Sequence, residues 1–455
     1  MNAQAKQSLK QSLSWQTELV SMLDTLPGHD IDWLSQYRSN ALDQFVKIGF
    51  PTRKTEAWKY VSTYAIAQIT PQISPALSQS NLVDSAQIAQ WRLDDCDEIV
   101  FVDGMYHAGL SSIPNSSSIT IKNLAELLAN SPIEAKALLS QASDEANDAP
   151  DTPDTFDALN QALLRDGVII TIADNSIIER PLHCLFVSTN TKQTITPINN
   201  WIFAGKNSQC SIVESYVGND DTNNLTLSRT NIKLAANSEL NHYRCQRESK
   251  LAYHLAELHV EQARDSRFNL YPIALGSAIA RVNIQITLAE HNALCTVNGL
   301  YLTQDKQVSD CHIKMHHAVA HCTSNQLFKG VIDGASRAVF NGLILVDKDA
   351  QKTQADLSNR NLLLSKLADI NTKPELEIYA DDVKCSHGAT IGQLDEQAIF
   401  YLQSRGVSRE HARHLLMVAF INDVVDRISL DSLRKQIASL IIGRLPDSEF
   451  IREFA

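Results

Sequence analysis

The sequence predicts a mainly β protein: a coiled parallel β-sheet core with helical regions at both ends. Three observations carry this. From about Asp166, apolar residues alternate with period 2, most clearly at Val282, Ile284, Ile286 and Leu288 and also over Ile232–Leu234 and Val168–Ile172. Turn triplets follow these runs: Asp174-Asn175-Ser176, Lys206-Asn207-Ser208, Ala236-Asn237-Ser238, Arg264-Asp265-Ser266 and His291-Asn292-Ala293. Their middle residues lie 32, 30, 28 and 27 apart, and such a period marks a repeat array. Asp349, 57 beyond Asn292, and Asp381, 32 further on, extend the count. Third, stripes of helical spacing occur only outside this region. Units this short leave no room for a four-stranded propeller blade, so about two strands per coil fit best. An antiparallel sandwich is the competing arrangement.

Taken in order, Trp15, Leu19, Met22 and Leu26 make a helical stripe that Pro27-Gly28 stops. Leu34, Tyr37, Ala41, Phe45 and Ile48 make a second, ended by Gly49 and Pro51. Glu98–Val102 reads as a strand running into an Asp103-Gly104 turn. Residues 143–155 are acidic, contain proline and lack large apolar side chains, as a linker or surface loop does. After Asp395 helical spacing returns at Leu416, Phe420, Val424 and Ile428, then at Leu430, Leu433, Ile437 and Leu440. Gly406 is placed to end one helix and Ser408 to cap the next. These helices are expected to cap the last coil or to offer an apolar ridge to a partner.

The 455 residues can bury a large core, and 44% hydrophobic with 20% charged residues is ordinary for a globular chain. A net charge of −12 argues against a general nucleic-acid or polybasic membrane binder. The first ten residues lack a signal-peptide core, and no run of about 18 apolar residues is present. Eight scattered cysteines without a C-x-x-C pair suit a reduced, cytoplasmic protein.

Cys385 and His387 are two apart in a strand-like stretch and so share a face, and a thiolate beside an imidazole can hold iron, copper or zinc. The alternative is two structural side chains. Two ligands are too few for a tetrahedral site, so a real site needs donors from elsewhere or from a partner. The run Cys311, His312, His316, His317, His321, Cys322 is richer in ligand types. Its spacing fits no standard zinc motif, however, and alternation sends adjacent members to opposite faces. Phe50–Tyr60 sets Arg53, Lys54 and Lys59 among aromatic rings and reads as a docking segment around a buried Trp58 rather than an RNA-stacking surface. Walker A, dinucleotide and nucleophile-elbow motifs are absent from the sequence.

Several of these stretches together resemble the SufB/SufD family: Phe50–Tyr60, Phe328-Lys329-Gly330-Val331-Ile332-Asp333-Gly334, Phe340-Asn341-Gly342, Asp349-Ala350-Gln351-Lys352-Thr353, Asn361–Ser365, Leu376–Asp395 and Phe400–Gly406. Within the family the forms at 328–334 and 349–353 are similar to those of SufD. The resemblance implies a right-handed parallel β-helix over 159–393, a mainly helical region over 1–140, an acidic linker over 141–158 and an ATPase-docking helical domain over 394–455. It implies a non-catalytic scaffold in SUF iron–sulfur cluster assembly that pairs with the paralogue SufB and binds the ATPase SufC. Cys385 and His387 would then face SufB and take part in iron acquisition or nascent cluster assembly, while Leu416, Phe420 and Val424 would dock SufC.

No cofactor is expected to stay on the isolated chain. Iron or a cluster passes through the complex, where a flavin is also compatible, and a homodimer is compatible when SufB is absent. Two rival readings are a stand-alone metal carrier built on the 311–322 run and a β-helix carbohydrate-active enzyme.

Overall fold

The recurring Asn and Asp turns are corners at which the backbone turns left-handed. Asn175, Asn207, Asn237, Asp265 and Asn292 have φ of 59°, 54°, 58°, 59° and 62°, a region these short polar side chains tolerate best. The corners stack. Asn207 Nδ2 donates to Asn175 Oδ1 at 2.7 Å, Asn237 Nδ2 to Asn207 Oδ1 at 2.9 Å, and Asn292 Nδ2 to Asp265 Oδ1 at 3.1 Å. The column then continues through His321 (66°) and Lys352 (63°), not through Asp349. Asp349 lies three residues early, in a turn of its own, and the count from Asn292 had stepped over the histidine corner.

This computed structural model describes residues 3–74, 83, 85–114, 116–141 and 154–444. Most of residues 143–155 lies outside them. In chain order the strands are β1 (Asp97–Val102), β2 (Met105–Tyr106), β3 (Ile119–Asn123), β4 (Val168–Ile172), β5 (Leu182–Ser188), β6 (Thr194–Ala204), β7 (Gln209–Gly218), β8 (Asn224–Leu234), β9 (Glu239–Arg247) and β10 (Tyr253–Gln262). There follow β11 (Arg267–Ala274), β12 (Ile279–Leu288), β13 (Leu294–Thr303), β14 (Val308–His317), β15 (Thr323–Ile332), β16 (Arg337–Val346), β17 (Gln354–Leu363), β18 (Asp369–Ile378) and β19 (Lys384–Gly392).

Odd-numbered strands from β5 to β19 stack in one sheet, even-numbered strands from β4 to β18 in the other, and each pair is parallel. The result is a parallel β-helix with two strands per coil. β1 extends the odd sheet in parallel with β5, and β3 closes the even sheet antiparallel to β4, so residues 97–123 are built into the solenoid rather than apart from it.

Register places like beside like. Ile284, Ile313 and Gly342 are consecutive partners across β12, β14 and β16, and such stacked side chains fill the interior. Two signature glycines have packing reasons. A Cβ on Gly330 would stand 2.1 Å from the Tyr301 ring, and one on Gly342 2.9 Å from Leu357. The Tyr301 ring fills the space at Gly330, and its hydroxyl donates to Asn361 Oδ1 at 2.5 Å.

Helices α1 (Ala3–Leu23) and α2 (Asp32–Ile48) follow the predicted stripes. Trp15, Leu19, Phe45, Phe50, Trp58 and Phe156 form a cluster that packs on the outer face of the even sheet. Short helices α3 (Tyr64–Ala67), α4 (Ser85–Ile88), α5 (Leu124–Asn130) and α6 (Pro132–Gln141) precede α7 (Thr155–Ala162), whose cap Asp154 accepts from Phe156 N. Among the described residues no helix is long and apolar enough to cross a membrane.

Under α7, burial pushes the Glu257 carboxyl well above the carboxylate range, and Asp154 and Asp157 add to this. A raised carboxyl costs nothing below the unfolded-state value and loses stability as pH rises through its folded value. Glu257→Gln is therefore expected to match the wild type in melting temperature near pH 4 and to exceed it near pH 8; a parallel offset at both would contradict the assignment. Gly330→Ala overpacks the Tyr301 contact and is expected to cost about 1–3 kcal/mol in denaturant unfolding; an unchanged midpoint would contradict it.

Candidate functional site

Among the described residues β19 is the last strand of its sheet and pairs on one side only, with β17; β18 likewise ends the even sheet against β16. The register sets Cys385 opposite Ala355 and His387 opposite Leu357. Ala355 and Leu357 are core residues at 0% and 2% exposure. Cys385 and His387 thus share one face and extend two interior columns by one coil. Cys385 packs half-buried against the core, while His387 is exposed.

Burial pushes the Cys385 thiol above its ordinary value, Asp356 adds to this, and the Ala355 backbone bond opposes it. The thiol stays protonated at neutral pH, so binding a soft cation there requires the proton to leave. Among the described residues no group of three or more His, Cys, Asp or Glu side chains is placed to hold a metal ion. Further donors have to come from beyond these residues, as from a partner chain, for the pair to act as a cluster or iron ligand set.

The denser run is dispersed by strand alternation. On β14, Cys311 packs inward with Ile313 and Met315, and His317 points inward to Ser324 Oγ at 2.8 Å; burial lowers His317 to about 4. His312 and His316 take the other face, with Asp310 at 2.9 Å and Asp347 at 3.0 Å. His321 forms a corner and Cys322 is buried, its thiol pushed up by desolvation.

The carboxy-terminal helices are α8 (Glu396–Ser404), α9 (Arg409–Val425) and α10 (Asp431–Gly443). Gly406 takes a φ of 92°, and Ser408 caps α9 by accepting from His411 N, as expected. Their position corrects the sequence reading. α9 and α10 lie along the outer face of the odd sheet, with Met417, Ile421, Val424 and Ile437 packed on Tyr243, Tyr271, Leu300 and Val331. They do not close the last coil. Val424 is fully buried, Phe420 is half-buried, and Leu416 is half-buried on the same helix. Val424 and part of Phe420 therefore face the chain's own β-helix, while Leu416 and Phe420 keep part of their surface open.

Lys329 of the central signature clamps this packing. Its side chain is 5% exposed, and its Nζ donates to Phe420 O at 2.7 Å, meets Asp423 Oδ2 at 2.8 Å and lies 4.5 Å from the Phe420 ring centre. The consecutive signature residues therefore have separate tasks: Phe328 fills the interior against Phe340, Lys329 holds α9, and Gly330 makes room for Tyr301.

One group of exposed large apolar side chains lies on the last coil and on α8: Ile378 at 38%, Tyr379 at 63%, Ile391 at 52%, Phe400 at 72% and Tyr401 at 58%; others, such as Ile133 and Leu367, are scattered over the rest of the surface. The residues of this group have no helical or strand periodicity among themselves, so no stripe in the sequence marks them. The Phe400–Gly406 signature was the available signal. Residues 393–395 alone separate β19 from α8.

Residues 186–420 match the SufBD core domain of SUF system FeS cluster assembly, and residues 17–184 match the SufBD protein N-terminal region. The chain is similar to an iron–sulfur cluster assembly SufBD family protein of Synechocystis, at 32% identity over 94% of this chain and 96% of that protein. It is similar to the iron–sulfur cluster assembly protein SufD of Escherichia coli, at 30% identity over 89% and 92%. A chloroplastic protein of Arabidopsis thaliana, ABCI7, is 27% identical over 97% and 90%.

Lys329→Met is expected to leave the β-helix folded, to cost about 2 kcal/mol, the scale of a hydrogen bond to a charged group, and to speed amide exchange in α9. Unchanged exchange in α9 would contradict the clamp.

Proposed function

We propose that this chain, which belongs to the SufBD family and takes part in SUF iron–sulfur cluster assembly, is a non-catalytic scaffold whose last coil is completed by the sister subunit SufB. The observation that carries this is the uncovered end of the β-helix. Among the described residues β18 and β19 each leave one edge unpaired, and apolar Ile378, Tyr379 and Ile391 stand exposed beside them. Long open edges with apolar neighbours favour pairing with another chain.

A sister coil laid against this end would bring its own side chains to Cys385 and His387 and make up the missing donors. Iron and the nascent cluster are cargo at this seam, not a resident cofactor of the chain. Pairing through the same edge would also give a homodimer where the sister subunit is lacking.

Docking of the ATPase SufC falls to α8 rather than to the buried stripe, because Phe400 and Tyr401 are the exposed rings of the carboxy-terminal helices. Movement of α8 by a docked partner passes through the short 393–395 link into β19, the strand that carries Cys385 and His387. Nucleotide-driven closure of the ATPase would thereby open or close the seam. A carbohydrate-active enzyme or a stand-alone metal carrier fits less well, since the 311–322 side chains are divided between the two faces of β14 and the corner after it.

Co-expression with both partners tests each part. Ile391→Lys is expected to lose the sister subunit, and Phe400→Asp with Tyr401→Asp to lose the ATPase while keeping the sister. Cys385→Ala and His387→Ala should keep the complex and slow cluster formation roughly tenfold. Retention of the sister by Ile391→Lys, or wild-type maturation in both site variants, would contradict the proposal.

A further inference from the structure

A cavity of about 150 Å³ lies between the carboxy-terminal helices and the outer face of the odd sheet. β13 and β15 contribute Leu302 and Val331 to its walls, α9 contributes Arg413 and Met417, and α10 contributes Ile441, with Arg444 at its carboxy-terminal end. Leu394, in the link between β19 and α8, completes the apolar part of the wall. The assembly role leaves both arginines unused. This site is separate from the seam at Cys385 and His387 and from the exposed rings of α8.

The charges in this cavity do not balance. Arg413 Nη2 donates to Leu364 O at 3.0 Å, and Arg444 Nη2 donates to Leu275 O, so both guanidinium groups meet uncharged carbonyls. Arg444 Nη1 is buried and has no hydrogen-bond partner among the described residues. Asp333 is the one carboxylate in the lining, and among the described residues it pairs with neither guanidinium. Two guanidinium charges against one carboxylate leave one positive charge over. The carbonyls at the end of α10 favour a cation near Arg444, yet burial still pulls its guanidinium below its ordinary value. A cation shut away from water without an anion beside it is costly.

We propose that this cavity binds a small organic carboxylate with a short aliphatic body, its carboxylate between Arg413 and Arg444 and its body against Leu302, Leu394, Met417 and Ile441. Planar guanidinium forks match a carboxylate with paired N–H donors. The volume is that of several water molecules, so the body is short. A hydrated inorganic oxyanion would turn its outer oxygens toward apolar walls that offer them no donor, which counts against phosphate or sulfate. Because Leu394 belongs to the three-residue link between β19 and α8, an occupied cavity would fasten that link to the flank of the β-helix.

The test is titration of the full chain with sodium isovalerate at constant ionic strength, read by ligand-observed NMR and by melting temperature, with the neutral isostere isovaleramide and inorganic phosphate as controls. The expected result is saturable binding of isovalerate, none of either control, and slower amide exchange at 393–395 on saturation. Arg413→Met and Arg444→Met should each weaken binding roughly tenfold, and Asp333→Asn should strengthen it by removing a like charge. The melting temperature without ligand shows whether the arginine variants keep their fold, and Asp333→Asn reports on the site in either case. Absence of saturation, equal binding of isovaleramide or phosphate, or an affinity that Arg444→Met and Asp333→Asn both leave unchanged would overturn the proposal. So would binding that appears only with Asp447→Asn, Glu449→Gln and Glu453→Gln in place, because the chain would then supply its own carboxylate.

Discussion

The structure depends on one constraint: each strand of the β-helix has its backbone groups satisfied by the coil before it and the coil after it. Inside the stack this is met in register, coil upon coil, with Asn and Asp corners bonded to one another. At the start, the antiparallel strand β3 closes the even sheet, and the short hairpin strand β2 borders β1. At the finish none of the described residues does so. The carboxy-terminal helices, which could have covered that end, are instead clamped to the flank through Lys329, Tyr243 and Tyr271. Backbone groups left open at an edge are a liability unless something covers them. The sister chain is the cover that the family relationship suggests.

That arrangement gives Cys385 and His387 their character. They project from the interior-facing side of a coil that has no further coil above it. They are positioned like core residues, yet His387 is exposed and Cys385 is only half-buried. Burial and Asp356 hold the Cys385 thiol above its ordinary value, which favours the protonated form over the thiolate. The proposed scaffold holds one soft donor and one imidazole in a fixed register and leaves completion of the set to assembly. The adjacency of β19 and α8 then links occupancy of the ATPase surface to the geometry of the seam.

Much of this was legible in the residues. Period-2 alternation and the Asn corners announced a two-strand coil because side-chain direction and left-handed backbone are local properties. The helical ends and the Gly406 and Ser408 caps were legible for the same reason. The facing direction of a helical stripe was not. Leu416, Phe420 and Val424 have the spacing of an apolar ridge whether it meets a partner or the chain's own sheet, and only packing tells these apart. The corners at His321 and Lys352 break the run of Asn and Asp, and lysine is an uncommon choice for left-handed backbone, so the nearby Asp349 stands out in the sequence instead. The pairing of Phe50–Tyr60 with His312, over 250 residues away in sequence, is tertiary and has no local signature.

The most direct test of the open-end account is amide hydrogen exchange over residues 369–392 in the chain alone and in the assembled complex. The account predicts rapid exchange along the unpaired edges of the isolated chain, slow exchange in β12 and β14, and strong protection of 369–392 once SufB is bound. Equal protection of that coil with and without SufB would contradict it, because the end would then be closed by the chain itself.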